Sequence, residues 1–418
     1  PKSFFGSSSS SRSRSRAHAH SVVVIAAASN KSPSIQLRGS AARLALMRPT
    51  PLFSIGLFAD AQYADRDDYE RPNEPGRMKF FRSVPFRLAD ALADFRARGE
   101  SLACIVNLGD IIDGVCDDDL TADVVTRAGP VPEHLAAANR ADMRVMAEVV
   151  RAGAGAIPVY HCLGNHDLNL PRQEVTKTLR NPGDAAYFSV KLPRKWRLVV
   201  LDTTDLNPRY LEPGSEEQAQ GEAFVRAAKA RGTPQDVRPW GGGVGPAQLA
   251  WLRGELRKAE DAGERVLVAS HNALTSTAAR PGMSCWNAEE VGAALEASPA
   301  VALCIAGHDH PGGYGRMLKR GADGYATFGR VHYVTLEAML EAPQGSTAYA
   351  VLEVYEHDVA VVGVGAATSR RLQVSPDGVF TGIATFGRAM DVMEDGMDGN
   401  VRVERSSLGL MDWINSNR

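Results

Sequence analysis

"IPVYHCLGNHD", residues 157–167, is apolar for most of its length and then breaks into Gly-Asn-His-Asp. A run this short, rich in apolar side chains, reads as a buried strand. Its polar ending is either a turn carrying a stray histidine or one edge of a metal site. What the other strands carry at the same end separates the two.

Similar runs recur at LFSIGLFAD (52–60), LACIVNLGD (102–110), RLVVLDT (197–203), RVLVASHN (265–272) and VALCIAGHD (301–309). Helical spacing of apolar residues fills the intervals at 77–98, 133–152, 246–262 and 288–297. Pro246 opens the third of these and Gly263 follows it, as expected at helix ends. Beyond residue 330, VHYVTLEA, AYAVLEVY and VAVVGVG read as consecutive strands, the last two joined by a short turn. This order predicts an α/β fold, two packed mixed β-sheets flanked by helices. Residues 205–245 lack apolar rhythm, and a loop of that length in a compact domain is usually functional or mobile. No internal repeat is visible.

Five of the six runs finish on a residue able to bind metal. The first ends at Asp60 with Gln62 beyond it, and the second at Asp110, in a block that also holds Asp113. The third gives Asn165, His166 and Asp167. The fifth supplies His271, and the sixth His308 and His310. Each alone is weak, because Asp is at home in turns and a lone His is usually structural. Together they matter, since open α/β sheets bind ligands beyond the carboxyl ends of their strands. Two divalent ions ~3.5–4 Å apart need a bridging carboxylate, and Asp110 suits that role because Gly109 lets the backbone approach. Imidazole and amide donors complete the shells without neutralising the ions, which leaves charge for phosphate oxygens.

Length and composition are ordinary for a globular protein. The chain has 418 residues, 44% hydrophobic and 23% charged, with a net charge of −2. That balance gives no electrostatic reason to expect nucleic acid or an anionic membrane as partner. Five cysteines without CxxC spacing, Cys104, Cys116, Cys162, Cys285 and Cys304, suggest reduced thiols in a cytosol-like compartment. Residues 1–50 differ: they are Ser- and Arg-rich, and no acidic residue precedes Asp60. They suit a plastid or mitochondrial transit peptide, or sequence upstream of a start at Met47. The expected organisation is therefore a disordered extension at 1–50, one domain at 51–372 and a tail at 373–418.

The five blocks "DAQ", "GDIID", "GNHD", "SH" and "GHDH" resemble the signature of calcineurin-like metallophosphoesterases. The resemblance implies Asp60, Gln62, Asp110 and His310 around one ion, and Asp110, Asn165, His271 and His308 around the other. It implies a catalytic role for His166 beside the phosphate and an orienting role for Asp113. One departure is notable: most of that family carries Asp-x-His in the first block, where this chain has Asp60-Ala61-Gln62. A carboxamide oxygen is a harder donor than imidazole, which favours Mn²⁺, with Mg²⁺ as the alternative. "FADAQYADRDD", "GGVGPAQLAWL", "AGHDHPGGY" and "VTLEAMLEAP" narrow the likeness to manganese-dependent ADP-ribose/CDP-alcohol diphosphatases. It implies an enzyme that splits nucleoside diphosphate compounds into a nucleoside monophosphate and a phosphomonoester; a monomer is expected. Another phosphoesterase of the same fold, or a scaffold without catalysis, is the alternative. Tyr63, Trp286, Asn287 and Tyr314 are the substrate-side candidates, chosen because they adjoin the metal blocks.

Overall fold

A computed structural model describes residues 50–71, 74–114, 133–233, 236–320, 326–374 and 383–386. Its first half contains strands β1 (Phe53–Phe58), β2 (Tyr69–Glu70), β3 (Met78–Lys79), β4 (Leu102–Asn107), β5 (Val159–His161), β6 (Phe188–Leu192) and β7 (Trp196–Val200). The second half adds β8 (Arg265–Ala269), β9 (Val301–Ala306), β10 (Gly313–Gly315), β11 (Leu318–Arg320), β12 (Ala326–Phe328) and β13 (His332–Thr335). β14 (Ala348–Val354), β15 (Asp358–Gly365), β16 (Ser369–Gln373) and β17 (Ile383–Phe386) close the series. The helices are α1 (Val84–Ala97), α2 (Glu133–Ala154), α3 (Arg172–Leu179), α4 (Glu216–Ala230), α5 (Pro246–Asp261) and α6 (Ala288–Ala297).

Two mixed sheets stack face to face. One runs β17-β16-β15-β14-β1-β4-β5 and the other β10-β13-β9-β8-β7-β6. Period-two alternation distributes the strand side chains between three apolar layers. Trp196, Leu198 and Val200 of β7, with Leu267 and Ala269 of β8, meet Phe53, Ile55 and Leu57 of β1 between the sheets. The alternate residues Val199, Val266 and Val268 face outward, under Leu252 and Leu256 of α5 and Leu295 of α6. On the other outer face, Phe58 and Ile105 lie under Leu88 and Leu92 of α1 and Met146 of α2. This is the helix–sheet–sheet–helix order expected from the sequence.

Some boundaries differ from expectation. The helix read over 77–98 starts at Val84, with Pro85 in its first turn, because Met78–Lys79 instead pairs with β2. The segment 205–245 is not structureless, since it holds α4. Only Gly221 and Ala228 of that helix are buried, so it carries no apolar stripe to read. The tail adds β17 beside β16. Helix α3 and strand β6 had no counterpart in the sequence reading. Residues 1–49, Cys116 and most of the tail lie outside the described residues. The other four cysteines are buried free thiols, and burial pushes Cys104 and Cys285 up to about 12. Among the described residues, no helix is long and apolar enough to cross a membrane.

Candidate metal centre

Parallel pairing between β1 and β4 does not stop where the strands end. Asp60 N donates to Gly109 O (3.1 Å), Gln62 N to Asp110 O (2.8 Å) and Asp113 N to Tyr63 O (2.9 Å). The two polar loops therefore leave the sheet side by side. Asp60, Gln62 and Asp110 adopt left-handed backbone, with φ of 49°, 44° and 54°, and His308 does so at 69°. Non-glycine residues rarely adopt this conformation, and clusters of them mark sites where side chains must be aimed.

Asp110 is the meeting point. Its Oδ2 accepts from Gln62 Nε2 at 3.1 Å and lies 3.2 Å from His271 Nε2. Around that nitrogen, Asn165 Oδ1 lies at 3.3 Å and His308 Nδ1 at 3.1 Å. His271 donates from Nδ1 to Leu108 O (2.8 Å), which directs the lone pair of Nε2 inward. On the other side, His310 Nε2 stands 3.6 Å from Asp60 Oδ1, while its Nδ1 meets Glu341 Oε1 at 2.5 Å.

Electrostatics show a cluster that wants positive charge. Burial opposes a charge on His271, yet Asp110 outweighs it and pushes the imidazole up to about 9. Burial raises Asp60 to about 8, and burial with the neighbouring His271 keeps His308 well below its ordinary value. Burial works against the Asp110 charge too, but His271 and His166 hold that carboxyl well below the usual range. Two buried atoms, Gln62 Oε1 and His308 Nε2, have no hydrogen-bond partner. Orphaned lone pairs are rare in native interiors, and here they belong to donors that suit divalent ions. The residues present fit a metal centre.

Residues 85–312 match the calcineurin-like phosphoesterase family. The chain belongs to that family. A manganese-dependent ADP-ribose/CDP-alcohol diphosphatase of Arabidopsis thaliana is 30% identical, the match covering 78% of this chain and 96% of that protein. The Danio rerio protein of the same name is also 30% identical, with 75% and 96% covered. A crystal structure of a dimetal phosphatase from Danio rerio superposes with a TM-score of 0.63 at 27% identity. That likeness spans 78% of this chain and 100% of the other.

In this calcineurin-like phosphoesterase, glycines set how closely the loops approach. A Cβ on Gly109 would lie 2.5 Å from His271 Nδ1, and one on Gly307 would lie 2.7 Å from Asp60 Oδ2. Gly164 carries no positive φ; it is needed for space, since a Cβ there would overlap the Asp110 carboxylate. Asp167, one of the polar residues at the end of the third run, turns away from the cluster. Its carboxylate accepts from Asp110 N (2.9 Å), Gly164 N (2.9 Å) and Ile111 N (2.8 Å), which ties two ligand loops together. Burial, then Asp110, pushes its carboxyl up to about 7. Replacing Asp167 with Ala orphans these buried amides, and that of Ile112 (3.4 Å), and is expected to cost about 3 kcal/mol or more of unfolding free energy. Urea denaturation of the purified protein checks this; an unchanged midpoint would remove the strut role.

His166 is fixed by a different atom than the sequence suggested. Its Nδ1 meets the backbone carbonyl of Asp113 at 2.5 Å, while the Asp113 carboxylate is 3.8 Å away. That carboxylate is buried against Lys79 Nζ (3.2 Å) and Arg66 Nη1 (3.5 Å). The arrangement leaves His166 Nε2 for a ligand in the cleft.

The phosphoesterase cleft has a volume of about 480 Å³, and its floor includes Gln62, Asp110, Asn165, His166, His308 and His310. None of the four residues chosen by adjacency lines it. Tyr63 is 2% exposed and packs in the core beneath α1. Tyr314 sits on β10 with its hydroxyl 3.0 Å from His332 Nδ1. Trp286 stacks on Phe224 of α4, with centroids 6.2 Å apart. Asn287 exchanges two hydrogen bonds with the backbone of Val244 (3.0 and 2.9 Å), which makes it a strut. The walls come instead from Arg71, Lys79, Trp240, Arg280 and Met283. Trp240 had a signal in the Trp-Gly-Gly-Gly break at the end of the unpatterned segment; the three cations had none.

Proposed function

We propose that the protein hydrolyses the diphosphate bond of ADP-ribose, CDP-alcohols and related nucleoside diphosphate compounds, giving a nucleoside monophosphate and a phosphomonoester. One observation carries the reading: Asp110 joins two groups of donors at the floor of a cleft with cationic walls. Asp60, Gln62, Asp110 and His310 would hold one divalent ion, and Asp110, Asn165, His271 and His308 the other. When bound, two Mn²⁺ or Mg²⁺ ions supply charge that polarises the phosphoryl oxygens and makes water a better nucleophile.

The chain's own groups do the rest. Glu341 orients His310 from behind, the pattern by which outer carboxylates fix metal-ligating imidazoles. His166, anchored through Nδ1, is placed to give a proton from Nε2 to the departing phosphate oxygen. Arg71, Lys79 and Arg280 favour a ligand of high negative charge. Trp240 and Met283 offer apolar surface for the organic half and displace water there. The named relatives support this choice of substrate.

The test is a panel of ADP-ribose, CDP-choline, FAD, a cyclic nucleotide and p-nitrophenyl phosphate with Mn²⁺ or Mg²⁺. The diphosphates are expected to show the highest kcat/KM, with AMP or CMP as product. A cyclic nucleotide or a monoester turned over while every diphosphate is left intact would overturn the proposal.

A further inference from the structure

The geometry points to Arg280 as the residue that selects diphosphates over phosphate monoesters, by binding the phosphate that is not attacked. The inference rests on the diphosphatase reading above. Three cations line the cleft, and they are not equivalent. Lys79 has a side chain only 8% exposed, with its ammonium on the buried Asp113. Arg71 is drawn inward: its Nε donates to Glu341 (2.8 Å) and its Nη2 lies 3.1 Å from His310 Nδ1. Arg280 is 43% exposed and keeps an outer edge in the cleft.

Its position is nevertheless fixed from behind. The backbone N of Arg280 donates to Asp309 Oδ2 at 2.7 Å, and its Nε donates to Asp309 Oδ1 at 2.7 Å. Asp309 is fully buried and stands in sequence between His308 and His310. The guanidinium is thus registered to the loop that supplies two metal-binding histidines. A cation held so has little conformational freedom to lose on binding an anion.

Its outer nitrogen is engaged by a partner that can be exchanged. Arg280 Nη1 meets Glu74 Oε2 at 3.1 Å, and the Glu74 side chain is 32% exposed at the cleft mouth. Glu74 has a second partner in Arg77, so it is not left unpaired when Arg280 is withdrawn. Exposed ion pairs contribute little, whereas guanidinium–phosphate pairs are among the stronger hydrogen-bonded contacts. A second phosphate displaces Glu74 at small cost. A monoester has no such group, and Arg280 then stays on Glu74.

Full-length protein loaded with Mn²⁺ tests this through Arg280→Gln and Arg280→Lys. The ratio of kcat/KM for ADP-ribose to that for p-nitrophenyl phosphate is expected to fall about ten- to a hundredfold in Arg280→Gln, mainly through KM for the diphosphate. Arg280→Lys should recover part of the loss, and Glu74→Gln should lower KM for ADP-ribose. Mn²⁺ affinity, measured by calorimetry, is expected to stay unchanged in Arg280→Gln. An unchanged ratio would overturn the inference. So would an equal fall for both substrates accompanied by weaker Mn²⁺ binding, because Arg280 would then act only as a prop for Asp309. A wild-type protein that hydrolyses no diphosphate overturns the diphosphatase reading and takes this inference with it.

Discussion

Asp110→Asn is expected to lower kcat/KM for ADP-ribose by at least about a thousandfold, a larger loss than for any other single donor in the cluster. The reason is geometric. Asp110 Oδ2 is the atom that both Gln62 and His271 face, so both proposed ion sites lose the same charge. The substitution keeps an oxygen for the amide of His166, which Asp110 Oδ1 accepts at 2.8 Å, so the loop is not released. Metal analysis of the purified variant should show depleted Mn²⁺, and the folded content by circular dichroism should match wild type. Wild-type turnover with full metal content would refute the bridging role.

The second large effect is expected at His166. His166→Asn should reduce kcat for ADP-ribose by roughly a hundred- to ten-thousandfold, with KM and Mn²⁺ affinity near wild type. His166 is anchored on the Asp113 carbonyl rather than built into the donor cluster, so its loss should spare the ions. A proton donor matters most when the departing group is a poor one. The deficit should therefore grow with an alkyl phosphate such as glycerol phosphate, whose alkoxide needs the proton more than the phosphomonoester that leaves ADP-ribose. An equal deficit for both substrates would mean that His166 does not act as the acid.

That these polar groups would converge was legible in the sequence, because each follows a strand whose apolar run is unmistakable. Parallel strands deliver their carboxyl ends to one edge, so position along each strand was enough. Choosing Tyr63 and Tyr314 by their nearness to those blocks failed for a related reason. Tyr63, one position beyond Gln62, turns back into the core, and Tyr314, four positions beyond His310, packs half-buried against it with its hydroxyl on His332. The cleft walls were hidden by distance. Arg71 meets Glu341 across 270 positions, and Glu74 meets Arg280 across 206. Helix α4 escaped because a polar helix shows only its cap, Ser215, whose side chain accepts from Gln218 N. The role of Asp167 escaped, since nothing local says that its carboxylate will serve backbone amides.

Gln62 carries one more implication. Its Nε2 is committed to Asp110, so the amide cannot turn over and Oε1 remains the end presented inward. A histidine in that place would compete for an ion with its own proton and lose the contest as the medium acidifies. The carboxamide takes no proton in that range, so under the proposed assignment this position would stay open to an ion where an imidazole would close.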